Sequence, residues 1–176
     1  RDMRAVQTSL LESVNQDELT LDTPYDVATM IASSFARYPY PEAFFAWRGG
    51  KAPSTALFFD RADRPPFWIA EDTSPHTFPV TIRTDAAVAG LLADGIDRDA
   101  SRARRFSMFE TSISGVPYQV VARLLYSDSR REHLAAVFGF TVNLEWARKH
   151  YFPEITQQMA SIGSVRDGFA LFVLDD

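Results

Sequence analysis

The stretch Phe106–Trp146 constrains the fold of this chain more than any other part of the sequence. It contains three runs of β-branched, aromatic and other apolar residues, separated by the turn signals Ser114–Pro117 and Ser127–Glu132. Short apolar runs bounded by such clusters are typical of antiparallel strands joined by tight connections. The third run is followed by Asn143, whose side chain is a favoured helix N-cap. The sequence therefore predicts a three-stranded meander that passes directly into a helix.

The middle run of this meander, Tyr118–Tyr126, is apolar on both faces except at Gln119 and Arg123. A strand of this kind is expected inside a sheet that is covered on both sides. Strands dominated by one antiparallel meander, with helices outside it, predict the α+β class. We expect a central antiparallel sheet with a long N-terminal helix and flanking helices.

Helical periodicity and stop signals divide the rest of the chain. Thr23-Pro24 and Thr84-Asp85 each have the composition of a helix start, and Pro153 is expected to kink or split the last helix. The predicted elements are a helix over 4–19, a helix from 24 to 35, strands over 43–47 and 55–59, an irregular loop over 60–79, a helix from 85, the meander, a helix over 144–161 and a strand over 169–174.

The length of 176 residues suits one domain. We assign residues 1–162 to a single domain. Residues 163–176 are assigned to a linker and an apolar strand that can open a following domain.

Charge and motif content argue against several function classes. The net charge is −5, so a basic face for nucleic acid is not expected. There is no cysteine, and His76, His133 and His150 do not stand at metal-ligand spacing. No metal or other cofactor is expected. No G-x-G-x-x-G, P-loop or G-x-S-x-G motif occurs, so we expect no catalysis from this chain.

A ligand pocket is the more plausible source of function. Arg123 is a charged residue within an apolar strand and needs a carboxylate, a carbonyl or a ligand, because an unpaired buried charge is costly. An ion pair with Glu110 or Asp60 would be a purely structural explanation. The alternative is recognition of an anionic ligand, which guanidinium geometry suits, with aromatic side chains as an apolar wall. The predicted pocket residues are Arg61, Arg64, Trp68, Tyr118, Arg123 and Tyr126.

The segment Gly115–Tyr151 resembles the closing half of extracytoplasmic PAS-like sensor domains of the Cache type, in which the last strand enters a helix. The run Ala136–Trp146 corresponds to that strand and helix start. The N-terminal helix, early strand pair and middle helix follow the Cache order. Tyr38–Tyr40 and Phe59–Pro66 also resemble segments in the sensing regions of bacterial membrane histidine kinases.

This resemblance implies a periplasmic, signal-sensing domain of an inner-membrane sensor histidine kinase. It implies an unknown small-molecule or protein partner, membrane anchoring of the parent chain and a homodimer through the N-terminal helix. The kinase would lie elsewhere, since no phosphoacceptor His motif or ATP-binding Gly-rich box occurs. The amino-acid-binding Cache signature is not recognisable in this sequence. The segment Arg64–Trp68 resembles it only distantly.

Two other hypotheses remain open on the sequence alone. A cytosolic PAS- or GAF-like small-molecule-binding domain could share the meander. A small hydrolase or isomerase would require turnover that depends on residues such as Arg123 or Glu110.

Overall fold

The computed structural model describes residues 7, 10–12, 24–49, 56–69 and 78–163, with side chains to Gln158. The predicted strand over 169–174 and most of the predicted helix over 4–19 lie outside these residues. Gln7 and Leu10–Glu12 are helical, in agreement with the helix prediction at those positions.

The described elements follow the order helix, three strands, helix, three strands and helix. Their bounds are α1 Pro24–Arg37, β1 Ala43–Arg48, β2 Leu57–Arg61, β3 Val80–Thr84, α2 Ala86–Ala100, β4 Phe106–Ile113, β5 Val116–Tyr126, β6 Leu134–Asn143, α3 Leu144–Trp146, a π-helical segment Ala147–Tyr151, and α4 Phe152–Gly163.

All six described strands form one antiparallel sheet in the order β3-β2-β1-β6-β5-β4. The predicted meander is confirmed as β4, β5 and β6, and the α+β class is confirmed with it. Strand β6 lies between β1 and β5, so the meander is joined to the N-terminal strands through its third strand.

The prediction for residues 60–84 was wrong in two respects. Strand β2 is shifted toward the C-terminus, so Asp60 and Arg61 belong to the strand and not to the loop. Strand β3 was missed because it is a five-residue edge strand that follows a Pro- and Asp-rich stretch, and only its first residue, Val80, is buried. The remaining described loop residues, 62–69, form irregular turns.

The sheet separates two hydrophobic clusters. One face packs against α1 and the N-terminal helical residues, where Leu10, Leu11 and Ile31 meet the sheet residues Val121 and Phe140. The other face packs against α2. The buried residues of α2 form one cluster with six sheet residues, namely Phe45, Phe58, Tyr118, Val120, Ala122 and Val137. Coverage on both sides explains why β5 is apolar on both faces.

Helix starts agree with the sequence signals. Helix α1 begins at Pro24. The Asp85 side chain accepts the backbone N–H groups of Ala87 and Val88 at the start of α2. The Asn143 side chain accepts the N–H of Trp146 at the start of α3. Side-chain caps of this kind satisfy amide groups that have no partner within the helix.

The C-terminal helix is divided just before Pro153 into α3, the π-helical segment and α4, in agreement with the predicted kink or split. The turn before this proline widens into the π-helical segment, and the Phe152 N–H donates to the Ala147 carbonyl five residues back. Proline has no N–H and its ring crowds the carbonyl four residues earlier. Widening the preceding turn lets the helix continue past this residue.

Candidate functional site

A buried carboxyl group, Glu42, lies where the central strands β1 and β6 meet β5. Glu42 directly precedes β1 and is 3% exposed. The Tyr118 hydroxyl donates to Glu42 Oε2 at 2.5 Å, and Asn143 Nδ2 donates to Glu42 Oε1 at 3.3 Å. Asn143 Nδ2 also lies 3.2 Å from the Tyr118 hydroxyl oxygen, which accepts from it. We call these three residues the Glu42 network.

Strand register brings the Glu42 network together. Tyr118 on β5 pairs with Asn143 on β6, and the Glu42 N–H donates to the Thr141 carbonyl of β6 at 2.9 Å. The hydrogen bonds among these three side chains therefore depend on strand pairing between distant parts of the chain.

Burial and hydrogen bonding act in opposite directions on Glu42. Burial raises the pKa of Glu42, while the hydrogen bonds from Tyr118 and Asn143 and the charge of Arg64 lower it. For Tyr118, burial is the main reason that its pKa is raised, and the adjacent Glu42 adds to the effect. The Tyr118 hydroxyl therefore remains a donor across the accessible pH range.

The 62–69 segment covers this part of the sheet with a cation and two aromatic rings. The Trp68 ring meets the Tyr118 ring edge-on, with centroids 5.0 Å apart. Phe67 stacks on Tyr118 at 6.3 Å and is 47% exposed. The Arg64 guanidinium carbon lies 3.5 Å from the ring centroid of Trp146, in cation–π contact.

Two donors of the 62–69 segment have no acceptor among the described residues. Arg64 Nη2 donates to the carbonyls of Pro39 at 2.9 Å and Pro41 at 3.0 Å. In the described part of the chain, however, neither Arg64 Nε nor Trp68 Nε1 has a hydrogen-bond partner, although both atoms are buried. A buried donor without an acceptor costs about 1–3 kcal/mol. Burial lowers the pKa of Arg64 to about 10, so its guanidinium stays charged at neutral pH.

An ion pair lies beside the aromatic rings on the same face. Arg83 of β3 binds the buried carboxylate of Asp60 through Nε and reaches Asp85 at 3.3 Å. The Arg83 guanidinium carbon is 5.7 Å from the Trp68 ring centroid. Burial raises the pKa of Asp60 from its ordinary value of 3.8 to about 6, and Arg83 opposes this shift.

Three of the six predicted pocket residues, Arg64, Trp68 and Tyr118, come together here. The other three lie elsewhere. Arg61 points to the α1 side, where it donates to the carbonyls of Phe35, Tyr38 and Pro41 and lies over the Phe35 ring. The Tyr126 hydroxyl donates to the Arg104 carbonyl at 2.8 Å, at the opposite end of β5.

Arg123 lies on the sheet face opposite to Tyr118. Its Nη1 donates to the carbonyls of Leu11 and Glu12 at 3.1 and 3.2 Å. Asp60, one of its two expected partners, pairs with Arg83 instead. Arg123 thus fastens the N-terminal helical residues to the sheet.

Sequence reasoning missed Glu42, and it identified Asn143 only as a cap. The signal for Glu42 was a single acid between Pro41 and the apolar run Ala43–Trp47. An acid in such a position is expected to be buried with its strand, but the sequence gives no indication of its partners. Trp146 and the Asp60–Arg83 pair were missed for the same reason.

The described residues contain no group of three or more His, Asp or Glu side chains arranged to hold a metal ion. Among the same residues, no helix is both long and apolar enough to cross a membrane. The fold and site together define an α+β domain with an aromatic, cation-containing site between its sheet and the 62–69 segment. Comparison with family models, curated proteins and solved structures gives no match to this chain.

Proposed function

We propose that this chain is a small-molecule-sensing domain of the PAS-like, Cache type, belonging to the extracytoplasmic part of a membrane sensor histidine kinase. The observation that supports the binding function is that two buried donors, Arg64 Nε and Trp68 Nε1, have no acceptor among the residues that the structure describes. Both belong to one short segment that covers the sheet at Tyr118.

The order of elements supports the family assignment. The antiparallel pair β1–β2, the middle helix and a meander that enters a helix through Asn143 follow the order expected from the resemblance, with β3 as an additional strand before the middle helix. The described N-terminal residues are helical and pack on the sheet, as a helix leading in from a membrane segment would. The kinase part is assigned to the parent protein outside this chain.

The chemistry of the site supports a ligand with a hydrogen-bond acceptor and a flat apolar part. Ligand acceptors placed at Arg64 Nε and at Trp68 Nε1 would pair two donors that have no partner within the described ranges, and would remove their burial cost. The rings of Phe67 and Trp68, which pack on the buried Tyr118 ring, offer the apolar surface that small-molecule sites need. Because Arg64 is a cation, a carboxylate or another anionic acceptor is favoured over a neutral one.

A thermal-shift screen of aromatic and aliphatic carboxylates, with the matching amides as neutral analogues, tests the binding function. A ligand at 100 times its Kd stabilises by about 2.7 kcal/mol. For a chain of 176 residues this is about 5–10 °C in Tm.

Three variants locate the binding site of any compound found in the screen. Arg64→Met retains the apolar stem against Trp146 but removes the donors, and Trp68→Phe retains a ring but removes the N–H. Both should abolish most of the shift. Arg130→Met, at an exposed arginine on the β5–β6 turn, is the matched control and should leave the shift intact. Equal shifts in all three variants would reject this site.

The membrane assignment needs the parent protein. Apolar stretches of about 20 residues on both sides of this domain, together with recovery of the full-length protein in the membrane fraction, are the expected result. A full-length protein that is entirely soluble would favour the cytosolic PAS- or GAF-like alternative.

A further inference from the structure

Exposed arginines gather at the end of β5 that lies away from the candidate site. The last turn of α2 and its connection to β4, Arg98–Arg105, contain four arginines, and all four are exposed. Arg131, in the β5–β6 connection, donates through Nη1 to the Ala103 carbonyl at 3.0 Å and so joins the same surface. We call this set the arginine cluster, which consists of Arg98, Arg102, Arg104, Arg105 and Arg131.

Hydrogen bonds hold the backbone beneath the arginine cluster in place. The Tyr126 hydroxyl donates to the Arg104 carbonyl at 2.8 Å, and the Leu124 N–H donates to the Arg105 carbonyl at 2.8 Å. Ala103 and Arg131, which touch each other, both have left-handed backbones, with φ of 53° and 60°. Such a conformation costs a residue with a Cβ atom about 1–2 kcal/mol, and it persists only where the surrounding contacts impose it. The arginines therefore project from a backbone of defined shape.

Most of the positive charge of the arginine cluster is not paired. Within the described ranges, Arg104 is the one member of the five with a carboxylate at ion-pair distance, which is the buried Asp99 at 2.9 Å. Asp128, in the neighbouring connection, accepts the N–H groups of Glu132 and His133. The acids on these elements that are exposed number fewer than the arginines, and they are Asp94, Asp97 and Glu132.

The positive charge is local, because the chain as a whole has a net charge of −5. Its effect is seen at Arg123 on the neighbouring strand, where burial and then the charge of Arg105 lower the pKa of the guanidinium. Charges on a protein surface act over about 8 Å at physiological ionic strength. An anion about as long as the cluster therefore meets the arginines alone, whereas a long polyanion also meets the acidic remainder of the surface.

We propose that the arginine cluster is a docking surface for a short acidic segment of a partner protein. Guanidinium groups bind carboxylates through paired N–H donors, which suits a segment with several Asp or Glu side chains. Because the arginines are exposed, each contact is weak and screened by salt, and affinity comes from several contacts together. This surface lies apart from the candidate site, and its function does not depend on the ligand proposed there.

Fluorescence anisotropy with a labelled hexaglutamate peptide tests the docking surface. The parent protein should bind this peptide in a saturable manner at 0.1 M NaCl and should not bind hexaglutamine. The affinity should fall by about tenfold or more at 1 M NaCl, because the screening length decreases from about 10 Å to about 3 Å. Absence of saturable binding, or equal binding of hexaglutamine, would overturn the proposal.

Charge-removing variants locate the binding surface. The triple variant Arg98→Gln, Arg102→Gln and Arg105→Gln should weaken hexaglutamate binding by about tenfold or more. The corresponding triple substitution by Lys keeps the charge and should retain most of the affinity, which separates loss of charge from a change in fold. Thermal unfolding of both variants should match that of the parent.

The matched control removes three exposed cations from other elements, namely Arg37→Gln, Arg148→Gln and Lys149→Gln. It has the same net charge as the Gln variant of the cluster and should change the affinity by less than about twofold. Equal weakening in the two variants would mean that hexaglutamate responds only to net charge, and the docking surface would be refuted. Tighter binding of long-chain polyphosphate than of hexaglutamate would assign the cluster to a phosphate polymer and overturn the choice of an acidic protein segment.

Discussion

At the scale of single residues, two arginines that are three positions apart form different kinds of contacts. Arg61 is 9% exposed and its donors are used by three carbonyl groups. Arg64 is more exposed, and its Nε has no acceptor in the described part of the chain. A spacing of three residues does not indicate that Arg61 and Arg64 form different contacts. What separates them is that Arg61 ends a strand and faces α1, whereas Arg64 lies on the irregular segment beyond it.

Arg61→Met should therefore be a stability variant. It leaves the carbonyls of Phe35 and Tyr38 without their charged donor, whereas the Pro41 carbonyl keeps the hydrogen bond from Arg64 Nη2. The expected cost is about 2–4 kcal/mol in the free energy of unfolding. Urea denaturation measures this directly. Arg64→Met, which takes the arginine donor only from the Pro39 carbonyl and lies at a more exposed position, is the comparison and should cost less. Equal losses would show that burial does not distinguish the two side chains.

Asp60 should give the stability of the protein a specific pH dependence. Its pKa is raised by burial from 3.8 to about 6, so the folded state binds its proton more tightly than the unfolded state. The associated stability is present below pH 3.8 and is lost as the pH rises to about 6. The loss is on the order of 1–3 kcal/mol.

Comparison with Asp60→Asn isolates this contribution from those of the other carboxyl groups. The unfolding free energy of the parent minus that of the variant should fall as the pH rises across that interval. Denaturant titrations at pH 4, 5, 6 and 7 provide the measurement. A constant difference, or one that changes in the opposite direction, would mean that Arg83 keeps Asp60 ionised throughout.

At the scale of elements, β6 is the strand on which the sheet depends. It pairs with β1 on one side and β5 on the other. A Cβ atom added at Gly139, in its middle, would overlap the Phe45 ring and lie 2.6 Å from the Val121 carbonyl oxygen. The absence of a side chain at this position allows Phe45 to cross the strand, so the glycine has a packing role.

Gly139→Ala is expected to lower the free energy of unfolding by about 1–3 kcal/mol, because either the Phe45 ring or the backbone must move. Gly90→Ala is the control. It lies within α2 with no atom within 4 Å of the new Cβ, and alanine there should stabilise by about 0.5–1 kcal/mol. Thermal or urea unfolding of both variants checks the opposite signs. A neutral Gly139→Ala would mean that Phe45 repacks without cost.

At the scale of the whole molecule, one sheet separates two cores. Ile31 belongs to the α1 side and Ile96 to the α2 side, and both are fully buried. Neither cluster contains residues of the other, so energetic communication between them passes through the strands. Tyr118 and Arg123 show the consequence, because residues of one strand serve different neighbours on the two faces.

The two cores should respond independently to small cavities. Ile31→Val and Ile96→Val are each expected to cost about 0.5–1.5 kcal/mol. The double variant should equal their sum to within about 0.5 kcal/mol, as found for sites without shared partners. Equilibrium unfolding of the four proteins completes the cycle. A coupling energy above about 1 kcal/mol would show that the sheet transmits strain between its faces.

Local signals accounted for most of the described elements. Pro24 and Asp85 mark helix starts, Asn143 marks the passage from strand to helix, and the apolar runs of the meander became β4, β5 and β6. These signals are read within a few residues of the chain, which is why they can be recognised without a structure. The edge strand β3 was not predicted, because a short, half-exposed strand has little apolar periodicity.

The meander and its entry into a helix follow from local signals, because alternation, turn residues and capping depend on neighbouring residues. Which polar groups meet depends on contacts between distant strands, so it could not be predicted from these signals. Glu42 is 76 residues from Tyr118 and 101 from Asn143 along the chain, and strand register brings them into contact. Arg123 lies five residues after Tyr118 on β5, so its side chain is on the opposite face of the sheet. The alternation of side chains along β5 predicts that its neighbours face opposite sides, but only the packed helices and loops decide what each side meets.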